Sequence, residues 1–342
     1  MDLKIGILNG GGDCAGLNAV TRAVVRRSEQ LEFEVIGIRH GWAGLLDVDT
    51  VPLTWSTVSH IIKEGGTILH TTRTNPFTRE HGPDTVLKNI EKLKLDALVA
   101  VGGEDTLSVG AKLSQMGLNC VGVPKTIDND IYGTDLTFGF DSAVNVTVDA
   151  IDRIQTTGES HDRIMIVEVM GRHAGWIAAY AGLASGANLI LVPEEPFDLD
   201  EVANFLKKRH ESGETASVVV VGEGCVLRNY PATDSTKIDE FGHPRLGGIG
   251  ELLAKELEKR VGIETRAVVL GHVVRGGAPS AYDRVLATRL GVAAVDALKD
   301  GEYNVMVCLR NNQLTRTPII DVLGHTKNLD PETLSLIKYF RI

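Results

Sequence analysis

Ala97-Leu98-Val99-Ala100-Val101-Gly102-Gly103-Glu104-Asp105-Thr106 is followed, after a segment of helical length, by Cys120-Val121-Gly122-Val123-Pro124-Lys125-Thr126-Ile127-Asp128-Asn129-Asp130. Each stretch opens as a short apolar run, breaks at glycine or proline, and ends in charge. Short apolar runs bounded by turn signals read as strands buried on both faces, the habit of a parallel sheet. Turns at the ends of such strands lie where parallel sheets bind ligands.

The same order recurs upstream, where the apolar run at 4–8 meets Gly10-Gly11-Gly12 and is followed by a helical pattern at 18–27 and a strand at 34–38. Further strands are expected at 164–168, 189–192, 218–221 and 265–270, each separated by a helical length. Such alternation defines an α/β fold with parallel sheets. At 342 residues the chain exceeds the usual size of one core, so one large or two closely packed domains are expected. A helix at 143–156 would bridge two halves, and the polar stretch 229–244 reads as a surface loop and the best candidate for a mobile segment.

Composition narrows the function. A formal net charge of −10 opposes a nucleic-acid partner, because phosphate-backbone binders carry a basic face. No apolar run approaches the ~20 residues that span a bilayer, so no membrane partner is expected and the default location is cytoplasmic. Cys14, Cys120, Cys225 and Cys308 form no C-x-x-C pair and read as buried free thiols. Arginines beside glycines and histidines, Arg163, Arg172, Arg266 and Arg275, suggest local binding of small phosphates.

The first loop, Gly10 to Gly12, allows close approach of backbone N–H groups to a phosphate at a helix N-terminus. It matches neither the dinucleotide nor the Walker pattern, and a plain tight turn is an equal reading. Asp128 and Asp130, two apart, would share one face of an extended segment roughly 6–7 Å apart. An Asx turn around Asn129 is the alternative, as is helix capping for Glu104 and Asp105. Two acid pairs after adjacent strands, with Lys125 beside one, favour a site that holds a magnesium-bound phosphorylated substrate and a base. That combination reads as phosphoryl transfer.

The chain resembles the phosphofructokinase family over nearly its whole length. The resemblance is carried by Gly11-Gly12-Asp13, Gly65-Gly66-Thr67 followed by Arg73, the 126–130 segment, Ser160-His161-Asp162-Arg163, Val167-Glu168-Val169-Met170-Gly171-Arg172, Thr265-Arg266 and Leu270-Gly271-His272-Val273-Val274-Arg275-Gly276-Gly277. It implies two Rossmann-like, three-layer α/β/α domains with mostly parallel sheets. Residues 1–140 with about 274–325 would form the phosphoryl-donor domain, and 141–273 with 326–342 the fructose 6-phosphate domain.

By resemblance, Asp128 takes the proton from the 1-hydroxyl of fructose 6-phosphate, Asp130 orients that group or the metal, and Glu104, where many relatives have Asp, contacts Mg²⁺. Gly10, Gly11, Gly12 and Gly103 would hold the donor, and Arg73 would reach the transferred phosphate. Thr126, Arg163, Met170, Gly171, Arg172, Glu223, Arg266, His272 and Arg275 would hold the sugar phosphate. The family's counterparts of Arg163 and Arg266 reach in from a neighbouring subunit, so a homodimer or homotetramer with shared sites is implied.

Two positions speak to the donor. ATP users of the family typically carry Gly where this chain has Asp105, and many carry Gly at Lys125, whereas pyrophosphate users resemble this chain. A carboxylate at 105 would face the α-phosphate of ATP, a repulsion of about 1–4 kcal/mol at ~4 Å and intermediate dielectric. Lys125 would instead stabilise pyrophosphate and its transition state. Because pyrophosphate and fructose 1,6-bisphosphate are donors of comparable strength, a reversible, glycolytic and gluconeogenic reaction is implied.

Allosteric relatives hold nucleotide effectors through basic residues. Here Arg22 and Arg26 persist, but Trp55, Gln155 and the acidic 211–214 segment replace the others, so no ADP activation is expected. Ala15 for a common Pro and His70-Thr71-Thr72 before Arg73 depart from the family pattern. The rival readings are an ATP-dependent phosphofructokinase, a kinase with the related Gly-Gly-Asp-Gly-Thr turn, and a non-catalytic metabolite-binding paralogue; the last would not need a base.

Overall fold

The computed structural model describes residues 3–228 and 247–341; the expected loop at 229–244 lies outside the described residues. In chain order the elements are β1 (Lys4–Asn9), α1 (Leu17–Gln30), β2 (Glu34–Ile38), α2 (Trp42–Asp47), β3 (Thr50–Leu53), α3 (Trp55–Val58), α4 (Gly82–Leu93), β4 (Ala97–Gly102), α5 (Glu104–Gln115), β5 (Cys120–Pro124) and α6 (Phe140–Ser160). They continue with β6 (Ile164–Val169), α7 (Trp176–Ala184), β7 (Leu189–Leu191), α8 (Leu199–Glu211), β8 (Ser217–Gly222), α9 (Ile249–Val261), β9 (Thr265–Val269), α10 (Ala281–Lys299), β10 (Val305–Arg310), β11 (Gln313–Pro318) and α11 (Pro331–Tyr339).

Two sheets result, in the orders β11-β10-β5-β4-β1-β2-β3 and β7-β8-β6-β9. The second is parallel throughout, whereas β3 and β11 run antiparallel at the edges of the first. The apolar runs at β1, β4 and β5 are buried on both faces because helices cover both. Ile5, Ile7, Val99 and Val121 pack with apolar residues of α1 and α10, while Leu8, Leu98 and Ala100 pack with those of α2, α4 and α5. In the second sheet Val167 and Val220 face α7, and Ile166 and Val219 face α8 and α9. Both sheets are therefore the middle layers of three-layer α/β/α stacks. No described helix is long and apolar enough to cross a membrane.

The expected strands are all present, joined by β3, β10 and β11, which the sequence reading did not include. The helix expected at 143–156 begins earlier and ends later, as the 21-residue α6. Left-handed Gly139 (φ 97°) precedes it, at a point where a β-carbon would lie 2.6 Å from Cys14 Sγ in the first loop. α6 packs against α7, β6 and β8 on one side and against α10 on the other.

Strand order fixes the place of the site. In the first sheet β1 lies between β2 and β4, so the connections leave it in opposite directions and open a crevice at the carboxyl ends of β1 and β4. Asn9 pairs with Val101 at that end, bringing the first loop beside Gly102-Gly103.

Asp283, in the first turn of α10, ties the two helices that join the halves. Its Oδ2 accepts from the Ser142 N–H at 2.8 Å and from Ser142 Oγ at 2.6 Å, and it is fully buried. Burial pushes its carboxyl up to about 6 against those hydrogen bonds. Removing it leaves the Ser142 donors buried and unpaired, so Asp283→Ala is expected to lower stability by about 2 kcal/mol, read as a reduced urea midpoint at unchanged m-value.

Candidate functional site

The first loop is held open by its neighbours. Gly10 N donates to Val101 O at 2.9 Å, and Gly11, at φ 79°, donates to Thr72 O at 3.0 Å while its carbonyl accepts from Thr71 Oγ1 at 2.7 Å. Thr72 Oγ1 in turn donates to His40 O at 2.7 Å. The 70–72 segment that departs from the family pattern is thus what anchors the loop. A β-carbon on Gly10 would lie 2.4 Å from the Thr106 hydroxyl, so only glycine lets β1 and α5 approach this closely.

Lys125 follows β5 and runs under that loop. Its ammonium, almost fully buried, donates to the Gly12 carbonyl. Burial pulls its pKa down to about 8, Cys14 and Asp13 opposing and Arg275 and Arg73 adding to the fall.

The acid pair is not extended. Asn129 lies in the left-handed region (φ 50°), so the chain turns between Asp128 and Asp130, which corrects the one-face extended segment expected from their spacing. The side chain of Asn129 enforces the turn by accepting from Thr137 N at 3.1 Å. Both acids nevertheless line one cleft of about 160 Å³ with Lys125 and Thr126. Thr126 Oγ1 accepts from Asp128 N at 3.1 Å. Burial raises the Asp128 carboxyl and the nearby Glu223 raises it further, while Arg275, Arg172 and Lys125 pull it down. Asp128 Oδ1 is buried without a partner among the described residues. Asp130 is pushed up to about 6, first by burial and then by Asp128.

α5 starts at Glu104, capped by Gly103, so its free N–H groups and positive end meet the cleft. Glu104 and Asp105 occupy its first turn and both line the cleft, and Glu104 Oε1 accepts from Gly324 N at 2.8 Å. Among the described residues no three His, Cys, Asp or Glu converge on one metal position. Mg²⁺ asks for less: one or two carboxylates, with phosphate oxygens and water completing the octahedron. Glu104, in the first turn of α5 and on the cleft, offers such a carboxylate.

The opposite wall comes from the carboxyl ends of β6 and β8. Gly171, at φ 133°, bends the chain after β6 so that Met170 and Arg172 line the cleft; burial raises the Glu223 carboxyl and the Gly171 backbone beside it opposes the rise. Glu223 itself is placed by its N–H donating to Val169 O at 2.8 Å. Arg275 and Arg73 complete the rim; Arg275 Nη1 donates to Asp13 O at 3.0 Å, which sets it against the first loop as well as the sugar side.

Three expected residues lie elsewhere. Arg163 precedes β6 and Arg266 is near the start of β9, roughly 20 Å and 10 Å of strand, respectively, from the carboxyl ends of those strands. Both bind Glu264, at 2.9 Å for Arg163 and 2.5 Å for Arg266. His272 is exposed on the 271–275 turn and does not line the cleft. Conversely, Thr106 and His173 line it without having been singled out, although both stand inside motifs already quoted or adjoining them. A larger cavity, about 490 Å³, runs along β7 and α8, but its charges pair across it, Lys338 with Glu195 and Arg228 with Glu201.

A family model described as Phosphofructokinase matches residues 4–298. A pyrophosphate–fructose 6-phosphate 1-phosphotransferase of Streptomyces coelicolor is 50% identical over 332 residues, covering 96% of this chain and 97% of that protein. ATP-dependent 6-phosphofructokinase 3 of the same organism is 47% identical over 333 residues, covering 96% of each. Among solved structures, Pichia pastoris phosphofructokinase in the T-state aligns with all of this chain at a TM-score of 0.83 and 31% identity, and this chain spans 37% of that longer one. The chain belongs to the phosphofructokinase family.

The Gly10–Thr106 contact offers a test of the cleft's construction. Gly10→Ala is expected to cut kcat/KM about 10²-fold by displacing the loop, and adding Thr106→Ala should recover most of the loss, because it deletes the hydroxyl and methyl that the new β-carbon meets. Steady-state kinetics of the double-mutant cycle give the coupling.

Proposed function

We propose that the chain transfers a phosphoryl group reversibly from pyrophosphate to the 1-hydroxyl of fructose 6-phosphate. The observation that carries the reading is the pairing of Asp105 with buried Lys125 on one cleft. Lys125 brings a compact cation to where a small dianionic leaving group would lie, and Asp105 brings a carboxylate to the path a nucleotide's α-phosphate would take. The relatives named for pyrophosphate and for ATP are close to each other in identity, so overall similarity does not choose the donor.

In this reading Asp128, raised by burial and with one oxygen unpartnered, accepts the proton of the 1-hydroxyl as that oxygen attacks phosphorus and phosphate departs. Asp130 keeps negative charge beside the base, and Lys125 with the α5 N-terminus stabilises charge on the phosphoryl oxygens. Mg²⁺, held by Glu104, would supply further charge compensation to the phosphates. Arg172, Met170 and Glu223 orient the sugar phosphate, and Gly12 and Gly103 bring backbone to the donor, while Gly10 and Gly11, whose N–H groups are taken by Val101 O and Thr72 O, shape the loop that admits it. Arg163 and Arg266, remote from the cleft of their own chain, would serve the site of a second subunit in a homodimer or homotetramer. Arg22 and Arg26 lie over the ring of Trp55, at 4.7 and 5.0 Å, an arrangement that favours the absence of nucleotide activation.

A coupled assay with pyrophosphate or ATP decides the donor: turnover with pyrophosphate is expected, and activity with ATP alone would sink the assignment. Exchanging both Asp105 and Lys125 for Gly should raise ATP use. The pH profile follows from the shifted groups. Asp130 and Asp128 must be ionised and Lys125 protonated, so kcat/KM should fall below about pH 6 and above about pH 8. The alkaline limb should disappear from the Gly-substituted double variant.

A further inference from the structure

Resting on that reading, we infer that Lys327 is a positioning residue for the reaction, holding the turn between Asp128 and Asp130 in register with the sugar-binding loop. Its ammonium donates to Asn129 Oδ1 at 2.9 Å, to Thr134 O at 3.0 Å and to Asp135 O at 2.7 Å. These three acceptors, with the Thr137 N–H that shares Asn129 Oδ1, close the loop that carries both acids. The main chain of Lys327 works on the same parts. Its N–H donates to Asp130 O at 2.8 Å, and its carbonyl accepts from Trp176 Nε1 at 2.8 Å.

Trp176 opens α7, directly after the 170–175 segment that presents Met170 and Arg172. The Lys327 ammonium also sits 5.2 Å from the centre of the Trp176 ring, a cation–π distance. One residue therefore touches the loop of the base and the helix that follows the sugar loop. The strap around it adds to the hold: Ile131 bridges Thr326, Gly324 N donates to Glu104, and Leu329 N donates to Glu194 Oε1 at 3.0 Å, whose carboxylate also accepts from Gly175 N.

No Lys327 atom is among those lining the cleft, so its influence runs through Asn129 and Asp130. Asn129 carries the positive φ that turns the chain between Asp128 and Asp130, and its Oδ1 is the acceptor Lys327 fills. Burial of the ammonium pulls its pKa down to about 8, with Asp135 and Asp130 opposing, which marks it as a cation kept dry by its acceptors. Loss of this cation would free the turn while leaving the contact surfaces for both substrates in place.

The test is steady-state kinetics on Lys327→Met and on Lys327→Cys before and after aminoethylation, which rebuilds a lysine-like ammonium; the four native cysteines are buried. A misplaced base predicts kcat down about 10²-fold in both variants with KM for each substrate within threefold, and recovery of most of kcat on aminoethylation. Wild-type kcat in Lys327→Met, a loss confined to KM, or no recovery in a folded aminoethylated protein would overturn the inference. Should the Met variant not fold, Trp176→Phe removes the indole donor to the Lys327 carbonyl while keeping an aromatic ring, and a several-fold fall in kcat at constant KM is expected, unchanged kcat counting against. The assay uses whichever donor the wild type turns over, so inertness toward pyrophosphate refutes the donor assignment alone.

Discussion

The cleft depends on one buried ammonium. Lys125 sits under the first loop with its charge removed from water, a position tolerable only because the Gly12 carbonyl accepts from it and acids stand nearby. That bond joins the loop after β1 to the segment after β5, although β4 lies between those strands in the sheet. The carboxyl ends of three parallel strands are thereby drawn into one wall. The same desolvation that pulls the ammonium down to about 8 raises Asp128 and pushes Asp130 up to about 6.

The second wall owes its place to helices rather than to sheet pairing. α6 and α10 meet at the Asp283–Ser142 contact, and α6 also lies against β6 and β8. A continuous apolar core, from Ile5 and Val121 to Val167 and Val220, runs through this junction. The two sets of strand ends face each other across about 160 Å³, and charge is concentrated there while the surroundings are apolar.

Much of this was legible because buried parallel strands announce themselves as unbroken apolar runs, and glycine and charge mark where they stop. β1, β4, β5, β6 and β8 all obey that rule. β3 and β11 do not, because edge strands tolerate Pro52, Thr315 and Arg316 with one flank in water. β10 has a clear apolar run, but its place beside β5 rests on contacts such as Asn304 to Cys120, 184 positions apart. The acids were found by type and spacing, whereas their conformation was not, since the left-handed turn at Asn129 is set by donors from Thr137 and Lys327 that reach its Oδ1. Lys327 itself carries no local signal: it is one lysine in a polar stretch, and its meaning is entirely tertiary. The remote position of Arg163 and Arg266 follows from which end of a strand they occupy, something readable once strand direction is known.

The order of strands also sets an order of assembly on the ribosome. The four strands of the second sheet fall between Ile164 and Val269, so that sheet can close as soon as β9 emerges. The first sheet cannot, because β5 waits for β10, which is made after all of the second. Until then the flank of β5 presents unpaired backbone donors and acceptors beside apolar side chains, the kind of edge that recruits wrong partners. β1, made before any strand of the second sheet, thus belongs to the sheet that can be completed only after it.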